Sequence, residues 1–158
     1  MYWRGHVGLG LLAYAPFAAL ALGADRLGLA LTGGILAAAF STVPDIDESL
    51  PIPHRGPTHT LAFAIGTGVL AGVAALLVAV AVASPSAWTP AFVGGVVTVS
   101  LCSHLVGDVL TPMGIRPFRP VSEAWFSLDL TRARNPQANR LLLSAGVLGA
   151  SVAVVVSL

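Results

Sequence analysis

Lysine is absent from this chain of 158 residues, and charged residues of either sign make up only 9% of it. A soluble domain carries about 25% charged residues, so there is too little charge here to cover a water-facing surface. The missing lysine excludes a glycine-rich phosphate loop of the kind that ends in lysine and a hydroxyl residue. The arginines form no stripe that could follow a phosphate backbone, so no nucleic-acid partner is expected. One cysteine, Cys102, cannot make an internal disulfide or a thiolate metal cage. No internal repeat and no low-complexity linker interrupts the chain.

What the chain has instead is apolar sequence, 56% of all residues. Five runs approach the roughly 17–25 residues that a helix needs to cross a bilayer. They cover about residues 7–23, 27–43, 60–83, 88–110 and 141–158. The second and fifth are short, so four spans remain an alternative. The first has one arginine before a long apolar run, and it reads as a retained helix rather than a signal peptide. The expectation is an all-α, polytopic membrane helix bundle, a single integral domain over residues 1–158. The glycines of Gly66-Thr67-Gly68, Gly72 and Gly94-Gly95 would let its helices pack closely.

Five spans put the N-terminus, the loop after the second span and the loop after the fourth on one side. Those segments hold Arg4, Arg55, Arg116, Arg119, Arg132, Arg134 and Arg140, against Arg26 alone on the other. The positive-inside rule then places the N-terminus in the cytoplasm. Residues 113–140 read as an arginine-rich cytoplasmic or interfacial loop, with Trp125 and Phe126 suited to lie at anionic headgroups.

On this topology all four histidines fall on the arginine-rich side. His104 and Asp108 are four apart and share a helix face. Ionisable residues inside a span are costly and are functional hypotheses by default. Imidazole and carboxylate are ligands that zinc and manganese accept. His6, Asp45, Asp47, His59, His104 and Asp108 therefore form a candidate metal set, with His54 and Glu48 as further candidates. The metal is a divalent ion, zinc first, with manganese or magnesium as alternatives, present as one ion or two. A pair of ions would need a bridging carboxylate, Asp45 or Asp47. In His54-Arg55-Gly56-Pro57-Thr58-His59-Thr60, Gly56 and Pro57 would turn the chain, Thr58 would cap the next helix, and His59 would be a ligand at its start. Arg55 would meet an anion through its guanidinium fork, with Arg116 and Arg119 as further substrate contacts. Cys102, Ser103 and His104 are adjacent, so on a helix they diverge and make no nucleophile pair.

The segments Gly5-His6, Pro44-Asp45-Ile46-Asp47, His54 to Thr60, and Ser103-His104-Leu105-Val106-Gly107-Asp108 through Thr111-Pro112-Met113-Gly114, closed by Arg116-Pro117-Phe118-Arg119-Pro120, resemble the YdjM-type inner-membrane proteins in order and spacing. The resemblance covers about residues 1–120. That family often has histidine where this chain has Glu48 and serine where it has Thr60. The resemblance implies a multi-pass fold and membrane-bound, metal-dependent hydrolase chemistry. The histidine and aspartate pattern is also similar to zinc-dependent phospholipase C, without an obvious later His-x-x-x-Glu pair.

The expected function is thus a metal-dependent hydrolase at the cytoplasmic membrane face. Asp45, Asp47 and Arg55 would be catalytic, acting on a phosphoester in a lipid or lipid-linked substrate, with membrane lipids as partners. The alternatives are a metal or proton transporter, and a non-catalytic membrane protein braced by metal. Transport sites usually lie near the bilayer midplane in repeated halves, which this pattern does not resemble.

Overall fold

Hydrophobic sequence of this length can satisfy its backbone inside lipid only as helix or closed barrel, and the chain chooses helix. The computed structural model describes residues 1–83 and 86–157. Among them are five long helices: α1 (Trp3–Gly23), α2 (Leu27–Phe40), α3 (Leu61–Ala81), α4 (Trp88–Val109) and α5 (Pro136–Val155). Each lies in an apolar segment of 20–23 residues, long enough to cross a membrane. The protein is an all-helical, multi-pass membrane protein.

Helix α4 is the axis of the bundle. It packs against α1, α2 and α3, while α5 packs along α1. Its buried side includes Phe92, Val96, Val97, Leu101 and Leu105, and Phe92 and Val96 join Tyr14, Ala18 and Ala37 in the main core. Leu70 and Leu77 of α3, and Leu141 and Val155 of α5, face outward, as residues in contact with acyl chains should. Small residues set the close approaches. A Cβ on Gly68 would meet Thr98 Oγ1 and Gly94 O of α4. A Cβ on Gly8 of α1 would run into the backbone of Leu142 and Leu143 of α5, and one on Gly146 into the backbone of Gly8. This is small-residue packing of the kind membrane helices use in place of a hydrophobic driving force.

The helix ends depart from the hydropathy reading in three places. Helix α1 begins at Trp3, not near residue 7, so His6, expected at the start of the span, lies about one turn inside it. Helix α5 begins at Pro136, because Asn135 caps it by accepting from the backbone N–H groups of Gln137 and Ala138; the last residue of the expected fifth span, Leu158, is outside the described residues. Thr58 does not cap α3. Thr60 does, its hydroxyl accepting from Phe63 N–H at 3.1 Å, while Thr58 Oγ1 donates to Asp47 Oδ2.

Two short 3-10 segments, Val43–Ser49 and Pro57–His59, occupy the connection between α2 and α3. The long connection after α4 folds back on itself, with Ile115 and Phe126 exchanging backbone hydrogen bonds at 3.0 and 2.9 Å. Leu128 and Leu130 N–H groups then donate to the carbonyls of Val109 and Leu110 at 2.7 and 2.9 Å, so this connection is tied to the end of α4.

Candidate metal centre

The ends of α1 and α4 and the two 3-10 segments meet on one side of the bundle. His6, His59, His104 and Asp108 are fully buried there, and the Asp45 side chain is 29% exposed. The bundle brings these five together. Ligand atoms of His6, Asp45, His104 and Asp108 all lie within 4.8 Å of one another, and a second such group is Asp45, His54 and His59.

Hydrogen bonds fix the ring orientations. His104 Nδ1 lies 2.8 Å from the carbonyl of Ser41. A carbonyl only accepts, so Nδ1 carries the proton and Nε2 keeps its lone pair. His59 Nδ1 lies 3.1 Å from Asp47 Oδ2, and His54 Nδ1 lies 2.8 Å from Asp47 Oδ1. Asp47 also accepts from Arg55 N–H at 2.9 Å and Thr58 Oγ1 at 2.9 Å. Both its oxygens are therefore taken on the side away from Asp45; the carboxylate bonds His54 directly and reaches His59 through Thr58, whose Oγ1 lies 3.0 Å from His59 Nδ1. Carboxylates in this position fix the tautomer and aim of metal-binding imidazoles.

Asp45 and Asp47 diverge because they sit on a 3-10 segment. At about three residues per turn, positions two apart point about 120° from each other. Asp45 turns toward His6, His59 and His104, and Asp47 toward His54, Thr58 and the far edge of His59. The sequence reading grouped both as ligands, and the structure places them on opposite sides of the His59 ring.

The remaining atoms describe a polyhedron. His59 Nε2 and His104 Nε2 are 3.2 Å apart. Asp45 Oδ1 is 3.5 Å from His59 Nε2 and 3.4 Å from His104 Nε2. Asp108 Oδ2 is 3.2 Å from His59 Nε2 and 3.5 Å from His104 Nε2. A tetrahedral zinc with bonds of about 2.0–2.2 Å has ligand edges of about 3.3–3.6 Å. Three of these five edges fall in that range and the other two lie about 0.1 Å below it, so the set is close to the spacing of one tetrahedral ion. Two imidazole Nε2 atoms this close need a cation between them, either a proton or a metal ion that displaces it. Burial alone would push His59 down, but hydrogen bonds to Asp108 and Asp45 outweigh it and hold its pKa above the ordinary value. The donor set therefore fits a divalent ion, and the charge on these carboxylates is what such an ion would take up.

Arg55 is committed within the protein. Its guanidinium donates to Asp108 Oδ1 at 2.8 Å, to Thr111 Oγ1 at 3.0 Å and to Gly114 O at 3.0 Å, and its backbone sits at φ +58°. Asp108 Oδ1 also accepts the α-amino group of Met1 at 2.7 Å. Arg116 and Arg119 lie farther out. Both pair with Glu123, whose pKa the Arg119 hydrogen bonds hold below its usual value. Together with His54 and Arg55 they line a cavity of about 240 Å³ beside the cluster. Glu48 is exposed, its carboxylate 3.8 Å from His54 Nε2. His6 is the residue whose weight the sequence understated. Both of its ring nitrogens are buried without a hydrogen-bond partner among the described residues, and only its place at the start of an apolar helix hinted at this.

A transmembrane helix bundle with a buried His and Asp cluster at one end, able to hold a metal ion, is the class that fold and site define. The model of the YdjM inner membrane protein family matches residues 1–157. The chain belongs to that family and is a multi-pass inner membrane protein. No curated protein matches it, and no solved structure does.

Proposed function

We propose that this chain is a membrane-bound metal-dependent hydrolase whose site lies at the cytoplasmic face and acts on a phosphoester in a lipid or lipid-linked substrate. The observation that carries this reading is the set of His59, His104, Asp45 and Asp108 atoms at tetrahedral spacing, 3.2–3.5 Å, with Asp45 as its exposed member. Zinc suits this donor set best, with manganese or magnesium as alternatives. A bound divalent ion would supply Lewis acidity to the hydrolysis.

The chain's own residues supply the rest. Asp47 holds His54 and His59 in register, and Arg55 anchors Asp108 against the turn at Gly114. Arg116 and Arg119, at the rim of the neighbouring cavity, offer guanidinium forks to a phosphate arriving at headgroup depth. Around them Val121, Trp125, Leu128 and Leu130 are exposed, as side chains that sink among lipid headgroups would be. The arginine-rich side faces the cytoplasm on the positive-inside rule.

A second reading is favoured by one observation. Four protein ligands close a tetrahedron, and closed sites are usually structural. In that reading the ion only braces the bundle. The experiment is a panel of phospholipids and lipid phosphates incubated with zinc-loaded protein in detergent, with release of phosphate or headgroup measured. Turnover that is lost in His104→Ala supports the hydrolase. No turnover on any substrate, with a melting temperature that falls on chelation, supports the brace.

A further inference from the structure

The His6 ring cannot share an ion with His104. The two rings are stacked, with centroids 3.7 Å apart and planes inclined by only 12°. An imidazole binds metal through a lone pair in its own ring plane. Planes this close to parallel do not meet near either ring, so an ion midway would lie about half of that 3.7 Å spacing out of both planes. His104 Nε2 points into the tetrahedral set described above. His6 Nε2 therefore addresses a different position.

That position has other ligands. His6 Nε2 lies 3.6 Å from Asp108 Oδ1 and 3.9 Å from Asp45 Oδ2. These are the second oxygens of the two carboxylates whose first oxygens, Asp108 Oδ2 and Asp45 Oδ1, face His59 and His104. Each carboxylate thus turns one oxygen to each side. His6 itself is fully buried and neither ring nitrogen has a partner among the described residues. An imidazole left so in a protein interior costs the desolvation of both nitrogens, and a ligand at Nε2 removes half of that cost.

We propose that His6, Asp45 Oδ2 and Asp108 Oδ1 form a second divalent-metal position, so that the centre is binuclear and bridged by both Asp45 and Asp108. The inference rests on the metal-site reading given above and extends it. The stacking distance of the two imidazoles matches the roughly 3.5–4 Å separation of ions in two-metal phosphoesterases. The two positions differ in kind. The first has four protein ligands. The second has three and keeps coordination open, as catalytic positions do. It is also held less tightly, because Asp108 Oδ1 already accepts from Arg55 Nη2.

The test is metal stoichiometry with a spectroscopic readout. Purified protein in detergent is saturated with zinc, desalted and analysed for metal per chain. The parent should hold two ions, one of them removed first by a mild chelator, and His6→Gln should hold one. Manganese-loaded parent should give the spin-coupled resonance spectrum of neighbouring ions, which needs no variant and cannot arise from a lone ion. If the parent holds a single ion with an uncoupled manganese spectrum, or if folded His6→Gln still holds two, the second position does not exist while the first stands. A parent that takes up no metal overturns both.

Discussion

Replacing Asp47 by asparagine keeps the side-chain volume and changes one oxygen into a donor. In the native protein Oδ1 accepts from His54 Nδ1 and Oδ2 accepts from Arg55 N–H and Thr58 Oγ1, with His59 Nδ1 3.1 Å away from Oδ2. An amide NH₂ must face either His54 Nδ1 or the Arg55 and Thr58 donors, and that side loses its acceptor. Either His54 loses its partner directly, or Thr58 loses the acceptor that sets its hydroxyl against His59 Nδ1. Loss of such an orienting partner weakens metal binding by about tenfold to a hundredfold, which corresponds to about 1.4–2.7 kcal/mol. Competition for zinc against a chromophoric chelator, on protein in detergent, measures this directly. His104→Ala, which removes a ligand outright, provides the comparison and should fall well below. Two outcomes would refute this role for Asp47. If Asp47→Asn loses metal as fully as His104→Ala, Asp47 is itself a ligand and the two-sided description of the 3-10 segment is wrong. If its affinity stays at the parent value, the carboxylate orients nothing that matters to the ion.

Gly107→Ala would place a Cβ 2.9 Å from Leu9 Cδ1 and 3.0 Å from His6 Nδ1; it should cost about 1–3 kcal/mol in thermal unfolding, as overpacked cores do, and lower metal content through displacement of His6. An alanine at this position with both properties unchanged would mean α1 has slack at His6. Thr60→Ala removes the cap of α3 and should destabilise by about 1 kcal/mol while zinc affinity stays the same, a pairing that unfolding and metal titration check together. With Cys102 replaced by alanine, a cysteine at position 86 should react with an impermeant thiol reagent added outside the inner membrane, and one at position 48 should not; the opposite pattern reverses the orientation.

The apolar segments were legible in the sequence because hydropathy is a local sum, and a bilayer span is set by local composition. Their ends were less so. Trp3-Arg4-Gly5-His6 lowers the average at the start of α1, although the backbone continues helical through it. The residues of the centre could be named from chemistry, since buried histidine and aspartate stand out in so apolar a chain. Their division of labour could not. Whether Asp45 or Asp47 faces inward depends on a 3-10 segment, and that depends on where α2 stops. The stacking of His6 on His104 joins residues 98 positions apart, and no spacing rule reaches so far. Arg55 read as free to meet an anion because its partners, Asp108, Thr111 and Gly114, come from across the fold.

The groups of the centre come from α1, from both 3-10 segments between α2 and α3, and from α4, while α5 supplies none. During synthesis these pieces leave the ribosome one after another. The chain cannot complete the cluster until Asp108 has emerged, and by then α1 has long been threaded with His6 bare. Helix α5 follows later and seals α1 along the Gly8–Gly146 contact. Emergence of the last group of the centre and docking of the last helix are therefore separate events, in that order along the chain, and on the metal-site reading proposed above a bundle made without metal would keep its first and fourth helices unlocked.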